Sequence, residues 1–202
     1  MRLEGKKIGF GLTGSHCTYA RVLPEVARLV EAGAEVTGFV TYTVRHTDSR
    51  FGKGEEWVKR LEAVTGRPVL DSIVEAEPYG PQKPLDCMVI APLTGNSLSK
   101  LASAETDSAV LMAAKATLRG GRPVVLGVST NDGLGLSLQN IARLIITKNI
   151  FFVPFGQDDP VGKPNSLVGK MNLLLPTIEK ALTREQLQPL LVLRPLEKSI
   201  IA

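Results

Sequence analysis

Two short polar runs are the places in this chain where chemistry could occur. Thr13-Gly14-Ser15 and Pro92-Leu93-Thr94-Gly95-Asn96-Ser97 each close an apolar, strand-like segment and open a helical pattern. At such a junction unpaired N–H groups and the positive end of the helix dipole favour an anion. Each run has a plainer use. Glycine and serine after a strand suit a simple turn, and Thr94, Asn96 and Ser97 suit an N-cap cluster. Two such loops side by side would instead make one crevice for a phosphate joined to a planar heterocycle.

A third motif fails on its spacing. Gly9, Gly11 and Gly14 spell G-x-G-x-x-G, but that fingerprint needs its first glycine after the strand, where the backbone turns toward a pyrophosphate. Gly9 and Gly11 lie inside the strand. The second strand ends in Thr41-Tyr42-Thr43, with no carboxylate for a ribose, and Glu35 stands at its wrong end. Arg45 could meet a 2′-phosphate, which keeps a nicotinamide site as a minor alternative.

The elements that must position these loops alternate. Ile8 to Leu12 reads as a strand. Val22, Leu23, Val26, Leu29 and Val30 recur at helical spacing, with Pro24 expected to start or kink that helix and Gly33 to end it. Glu35 to Thr41 is a second strand, and the polar Tyr42 to Gly54 reads as a long functional loop. A helix over Glu55 to Val64 follows, then a weaker strand near Val69 to Val74 and an extended connection forced by Pro78, Pro81 and Pro84. Asp86 to Ala91 is apolar enough for a central parallel strand. Next come a helix over Leu98 to Leu118, a strand over Pro123 to Val128, a helix over Leu136 to Ile146, a strand at Ile150 to Val153 and a helix over Leu173 to Leu182. Pro189 and Pro195 mark the remaining residues, about 183–202, as an arm that packs on a neighbour. This order implies one α/β domain with a doubly wound parallel sheet, Rossmann-like or flavodoxin-like. Ligands then bind beyond the strands' carboxyl ends, at the switch in strand order.

Composition narrows the function classes. The net charge of +4 is scattered and aromatics make up only 5%, unlike the basic stripe with interleaved aromatics of a nucleic-acid binder. Apolar runs such as Met88 to Ala91 are far short of the ~20 residues that span a bilayer. The opening MRLEGKK leads directly into a strand, so a cytoplasmic protein is expected. Cys17 and Cys87 are far apart with no second thiol at ligand spacing, which supports neither a zinc site nor a disulfide.

The run APLTGNSLSKLA resembles the A-P-x-S-A-N-T-x-x-K-x-A motif of the flavin-dependent cysteine decarboxylase family, which also takes in flavin prenyltransferases. Asp107 falls where that family keeps an Asp, Thr13-Gly14-Ser15 matches its first loop, and Val40-Thr41 matches the strand end whose hydroxyl meets the flavin. The resemblance covers about residues 6–153. Its later P-x-M-N motif, followed by Trp, reads Val128-Ser129-Thr130-Asn131 here, with Gly135 at the Trp position. Losing the Met, Pro and Trp argues against cysteine-derived substrates. His46 stands where the decarboxylases carry an active-site His, though an exposed loop His is the simpler reading. GFGLTGSHCTY, RPVVLGVSTNDGLG and TKNIFFVPFGQDDP with KPNS are similar to a narrower branch. Its members are flavoprotein subunits that work with a second subunit carrying NADP.

The resemblance implies flavin mononucleotide (FMN), with its phosphate at Gly14 and Ser15 and its ring against Pro92, Thr94, Gly95, Asn96, Ser129 and Asn131, and with Thr41 also in contact. It implies dehydrogenation of a dihydro or hydroxy-tetrahydro precursor to pyridine-2,6-dicarboxylate, a step drawn forward by aromatisation. A flavin-dependent decarboxylase or prenyltransferase, and a non-catalytic flavin scaffold, are the alternatives. A dicarboxylate needs cationic partners, for which Arg45, Arg50 and Lys163 are the candidates, each also readable as a surface charge. His16 is the candidate base, or a polar cap. The resemblance further implies a trimer-based homo-oligomer, and the cysteine spacing gives no reason to expect a metal.

Overall fold

The computed structural model describes residues 2–192. The chain runs β1 (Lys7–Leu12), α1 (Tyr19–Glu31), β2 (Glu35–Val40), α2 (Tyr42–His46), α3 (Gly54–Thr65), α4 (Ile73–Ala76), β3 (Cys87–Leu93) and α5 (Gly95–Ala102). It continues through α6 (Ala109–Arg119), β4 (Val124–Thr130), α7 (Ser137–Ile145), β5 (Ile150–Phe152), β6 (Phe155–Gly156), β7 (Leu167–Gly169) and α8 (Leu174–Leu182). The sheet order is β2-β1-β3-β4-β7-β6, with β5 beside β4 off that path. The first four strands and β5 are parallel, as expected for this α/β class. β7 pairs antiparallel with β4, and β6 with β7. The chain winds from β1 outward to β2, then returns to lay β3 on the other side of β1, so the switch in strand order lies between β1 and β3.

Alternation across the strands divides the core into two. Cys87, Val89 and Ala91 of β3 face the α1 and α8 side, while Met88 and Ile90 face α5, α6 and α7. Every residue of β3 is buried, which is why it reads as an unbroken apolar run. Gly9 and Gly11 serve this packing. A Cβ at Gly9 would lie 2.5 Å from Leu85 Cδ1 and 2.6 Å from Met88 Sδ, and one at Gly11 would lie 2.7 Å from Val110 Cγ1 of α6. Among the described residues no helix is long and apolar enough to cross a membrane.

Five expectations need correction. Residues 42–46 form α2, so the polar stretch before Gly54 is only partly loop. The segment near Val69 gives a single bridge, Phe39 to Leu70, because Ser72 and Glu75 form a capping box that starts α4. The stretch from Pro78 is not extended: Glu77–Tyr79 is a 3-10 turn with proline in its first turn, where a missing N–H is harmless. The long helix from Leu98 is two, because Ala104 adopts φ +61° and Ser108 caps α6 by accepting the Leu111 N–H. Pro24 lies inside α1 and does not start it. Its lost hydrogen bond falls at Ala20, which is exposed, so water can satisfy that carbonyl.

The C-terminal arm, expected to reach a neighbour, packs in its described part on its own chain. The Gln186 amide accepts from the Phe152 N–H at 2.8 Å and donates to the Phe152 carbonyl at 2.7 Å. Phe155 N–H donates to the Leu190 carbonyl, and Val192 N–H to the Phe155 carbonyl. Residues 193–202 lie outside the described residues.

Two glycine substitutions should differ because of what they strike. A Cβ at Gly54 would come within 2.4 Å of the Arg45 carbonyl oxygen and 2.5 Å of that of Val44, and backbone cannot move aside. Gly54→Ala should therefore destabilise by more than roughly 3 kcal/mol. Gly9→Ala meets only side-chain ends and should cost about 1–3 kcal/mol. Urea denaturation of both variants would test the order, and equal losses would contradict it.

Candidate functional site

Thr13 follows the last residue of β1 and is fully buried. Its hydroxyl donates to the Pro92 carbonyl at 2.7 Å and accepts from the Thr94 N–H at 2.9 Å, so one side chain joins the loops after β1 and β3. Its own carbonyl accepts from the Tyr19 hydroxyl at 2.8 Å. Burial, with Cys17 second, pushes the Tyr19 phenol well up, so it stays a neutral donor. Thr94 in turn caps α5, its hydroxyl accepting from the Ser97 N–H at 3.3 Å.

A cleft of about 510 Å³ opens at this junction, lined by Gly14, the Thr41–Thr43 junction of β2 and α2, Thr94, Asn96, Ser97, Lys100, Ser108 and neighbouring residues. Its volume is that of an ordinary small-molecule site. The amino ends of α5 and α6 both face into it through Thr94 and Ser108. Two helix ends converging this way supply N–H groups and positive dipole ends for a phosphate. Asp71, Asp107 and Lys100 add the charges. Lys100 is ion-paired with Asp107, holding the α5–α6 connection against the cleft. These hydroxyl, amide and ammonium donors with two carboxylate acceptors fit a phosphorylated, polyhydroxylated ligand such as a flavin nucleotide. Gly95, at the start of α5, lets that helix pack close to the end of β4, since a Cβ there would lie 2.8 Å from Thr130 Oγ1.

Of the expected cofactor residues, Gly14, Thr41, Thr94 and Asn96 line this cleft. Pro92 is buried in β3 and contributes its carbonyl to Thr13. Gly95 borders the shallower depression beside α7, shared with Asn96 and Thr130. Ser15 and Ser129 meet elsewhere: their hydroxyls lie 2.9 Å apart, with Thr18 Oγ1 at 3.2 Å and 3.0 Å from them. That hydroxyl cluster ties the first loop to the end of β4. Asn131 is exposed and lines neither depression.

The expected cations are not in the cleft. Arg45 is engaged within its own chain, 3.2 Å from Glu55 and 2.5 Å from Asp71, which leaves it no open fork for a substrate. Arg50 lies over the Phe51 ring, and Lys163 is exposed in the loop between β6 and β7. His16 also lies outside the cleft lining. Both its ring nitrogens are buried with no hydrogen-bond partner, as is the Trp57 indole N–H, and desolvation lowers its pKa. His46 is exposed and stacks at 4.3 Å on Tyr42. Thr13 and Ser97 belong to the two polar runs and Lys100 to the APLTGNSLSKLA motif, whereas Ser108 lies outside all three. Ser108 had a usable signal, a serine directly before the apolar run Ala109 to Met112.

Comparison with known proteins agrees with this geometry. A family profile described as "Flavoprotein" matches residues 1–165. The B subunit of the Bacillus subtilis (strain 168) dipicolinate synthase is 67% identical over 190 residues, covering 94% of this chain and 95% of that protein. The crystal structure of the dipicolinate synthase B subunit from Bacillus halodurans superposes with a TM-score of 0.89 at 61% identity, covering 96% of this chain and 100% of that one. DmrB of Burkholderia xenovorans in complex with FMN shares the fold at 16% identity and a TM-score of 0.65, covering 89% and 96%.

Two outcomes follow from the first loop. Thr13→Val keeps the shape but strands the Pro92 carbonyl and the Thr94 N–H, and should destabilise by about 1–3 kcal/mol. Thr13→Ser should stay close to the parent, and equal losses in the two variants would show that the hydroxyl is idle. His16 gives a pH signature. Its folded-state pKa lies below the ordinary 6.5, so on acidification through that value the unfolded chain binds a proton that the folded chain resists. Stability from this group is complete above about pH 7 and falls below about pH 6.5. Urea midpoints at pH 5.5 and 7.5 should lie closer together in His16→Gln than in the parent.

Proposed function

The chain belongs to the flavoprotein family, among the B subunits of dipicolinate synthases, and on that premise we propose that its cleft holds FMN. We further propose that it contributes to dehydrogenation of dihydrodipicolinate, or its hydroxy-tetrahydro precursor, to pyridine-2,6-dicarboxylate during sporulation in the mother cell. The observation that carries the reading is the convergence of the α5 and α6 amino ends on one cleft at the β1–β3 switch. The phosphate is placed at Ser97 and Ser108, with Gly14 of the first loop lining the same cleft. Helix α1 is preceded by a 3-10 turn, His16–Thr18, and Ser15 is turned toward Ser129. Thr41, Asn96 and Asp71 would meet the rest of the nucleotide. Bound flavin would supply a two-electron acceptor, and the chain's own contribution is binding, orientation and a desolvated wall.

Electrons taken from the precursor must leave the site, and the glycines of the nicotinamide fingerprint are spent on packing, Gly9 against Met88 and Gly11 against α6. We therefore place NADP on the partner, the A subunit of dipicolinate synthase. A homo-oligomer completes the reading. Tyr42 and Val74, 73% and 77% exposed, sit beside Ile73 at the rim of the cleft, as apolar side chains awaiting cover from a neighbouring copy. Arg50 and Lys163, unused within the cleft, are the cations left to meet a substrate carboxylate from such a border.

The purified chain should be yellow or take up FMN. Asn96→Leu, and Ser108→Glu with its like-charge clash against phosphate, should each weaken FMN by about tenfold or more while the circular-dichroism spectrum is kept. Mixed with its partner, the chain should form pyridine-2,6-dicarboxylate with NADP reduction, and by itself it should not. Unchanged flavin affinity in both variants would remove the cofactor assignment. Full NADP-linked turnover by this chain alone would remove the division of labour.

A further inference from the structure

A second cavity, of about 720 Å³, opens at the amino ends of β4 and β5, the opposite end of the sheet from the flavin cleft. β4 has seven residues, which at ~3.3 Å each separates the two openings by roughly 20 Å. Its charges have one sign. Lys148 and Arg184 line it, and among the described residues no carboxylate does. Nor is either cation ion-paired within the described residues. The Arg184 guanidinium is steadied by one hydrogen bond, 3.2 Å to Asn149 Oδ1, which leaves its other N–H groups open.

The backbone beneath this pair turns sharply at three left-handed positions. Asn149 and Arg184 have φ +66° and +67°, and Gly121 on the same wall has φ +67°. At Gly121 and Arg184 this is the left-handed cap that closes a helix, with Arg122 N–H donating to the Thr117 carbonyl and Glu185 N–H to the Lys180 carbonyl, a position common for glycine and less so for arginine. Lys148 follows the carboxyl end of α7 and Arg184 that of α8, where a cation offsets the helix dipole. That accounts for a positive charge at each helix end. It does not account for the apolar wall of Ile150, Phe151 and Leu190 beside them, nor for Gln186, whose amide is spent on both backbone groups of Phe152 and so fixes the far side of the cavity to β5.

We propose that this cavity is a binding site for a small carboxylate with an apolar body. An arginine fork matches a carboxylate's two oxygens, the ammonium adds a point charge, and the body lies on the apolar wall. The ligand would brace residues 184–190 against β5, at a distance from the flavin. This inference stands on the cavity and does not require the proposed activity.

Titration calorimetry on the full chain, with and without FMN, tests it, using benzoate and pyridine-2,6-dicarboxylate as probes. Both should bind, and benzamide and inorganic phosphate should bind about tenfold more weakly or worse. Arg184→Gln combined with Lys148→Gln should weaken benzoate by about tenfold or more, with flavin affinity unchanged. Should the double variant fail to fold, Lys148→Glu, at an exposed position, should show a loss of the same order. Equal benzoate affinity in the folded variants would overturn the proposal, as would phosphate or benzamide binding as well as benzoate. Displacement of benzoate by FMN would place the carboxylate in the flavin cleft and would overturn it too.

Discussion

The Thr13 hydroxyl donates to the Pro92 carbonyl and accepts from the Thr94 N–H, and the cleft takes its shape from that pair of hydrogen bonds. Parallel strands of one sheet are held together by their ladders only as far as the strands run. Beyond their ends each loop is free to choose its own path, and nothing in the ladder brings the β1 loop to the β3 loop. A buried hydroxyl that both donates and accepts supplies the missing cross-tie, and it sits at the switch in strand order, where the chain leaves a crevice. With Thr94 held, its hydroxyl is aimed at the Ser97 N–H, and α5 must start there. The Tyr19 hydroxyl on the Thr13 carbonyl brings α1 into the same arrangement.

The break between α5 and α6 matters as much as the tie. Had residues 95–119 formed one helix, a single amino end would face the cleft and the second half would point away from it. Ala104 in the left-handed region, the Lys100–Asp107 pair and the Ser108 cap turn the chain so that α6 presents its own amino end. The result is a site that attracts an anion largely through backbone N–H groups and dipoles, with its one lining lysine already balanced by a carboxylate. Such a site needs few cations, which agrees with a surface whose basic residues are scattered.

Arg45 shows how a charge that looks functional can be architectural. It reaches Glu55 on α3 and Asp71 before α4, and the α2 backbone beside it lies so close to Gly54 that no side chain fits there. Together these contacts hold the α2–α3 corner, and with it the Thr41–Thr43 wall of the cleft. The β6–β7 ribbon is a parallel case on the far side. It extends the sheet beyond β4 and carries Lys163 on its loop, while the folded-back residues 186–192 cover its edge and that of β5.

The amino-acid sequence by itself determined the class of fold, the parallel strands β1 to β5, the main helices α1, α3, α7 and α8, and the two loops that would form the cleft. Those are local properties: apolar period, strand length, and turn and capping residues at each junction, all legible a few residues at a time. It also disqualified the G-x-G-x-x-G run, since the position of a glycine within a strand is local too. The tertiary structure decided which hydroxyl faces which loop. Ser15 went to Ser129, Thr13 to Pro92 and Thr94, and Arg45 to two carboxylates. It also split one expected helix into two and folded the C-terminal segment onto β5 and β6. Each of these outcomes depends on partners far apart in the sequence, 114 residues for Ser15 and Ser129 and 79 for Thr13 and Pro92. A hydrogen bond or ion pair at that separation leaves no periodic trace in either segment, because its energy exists only once the sheet has brought the two ends together.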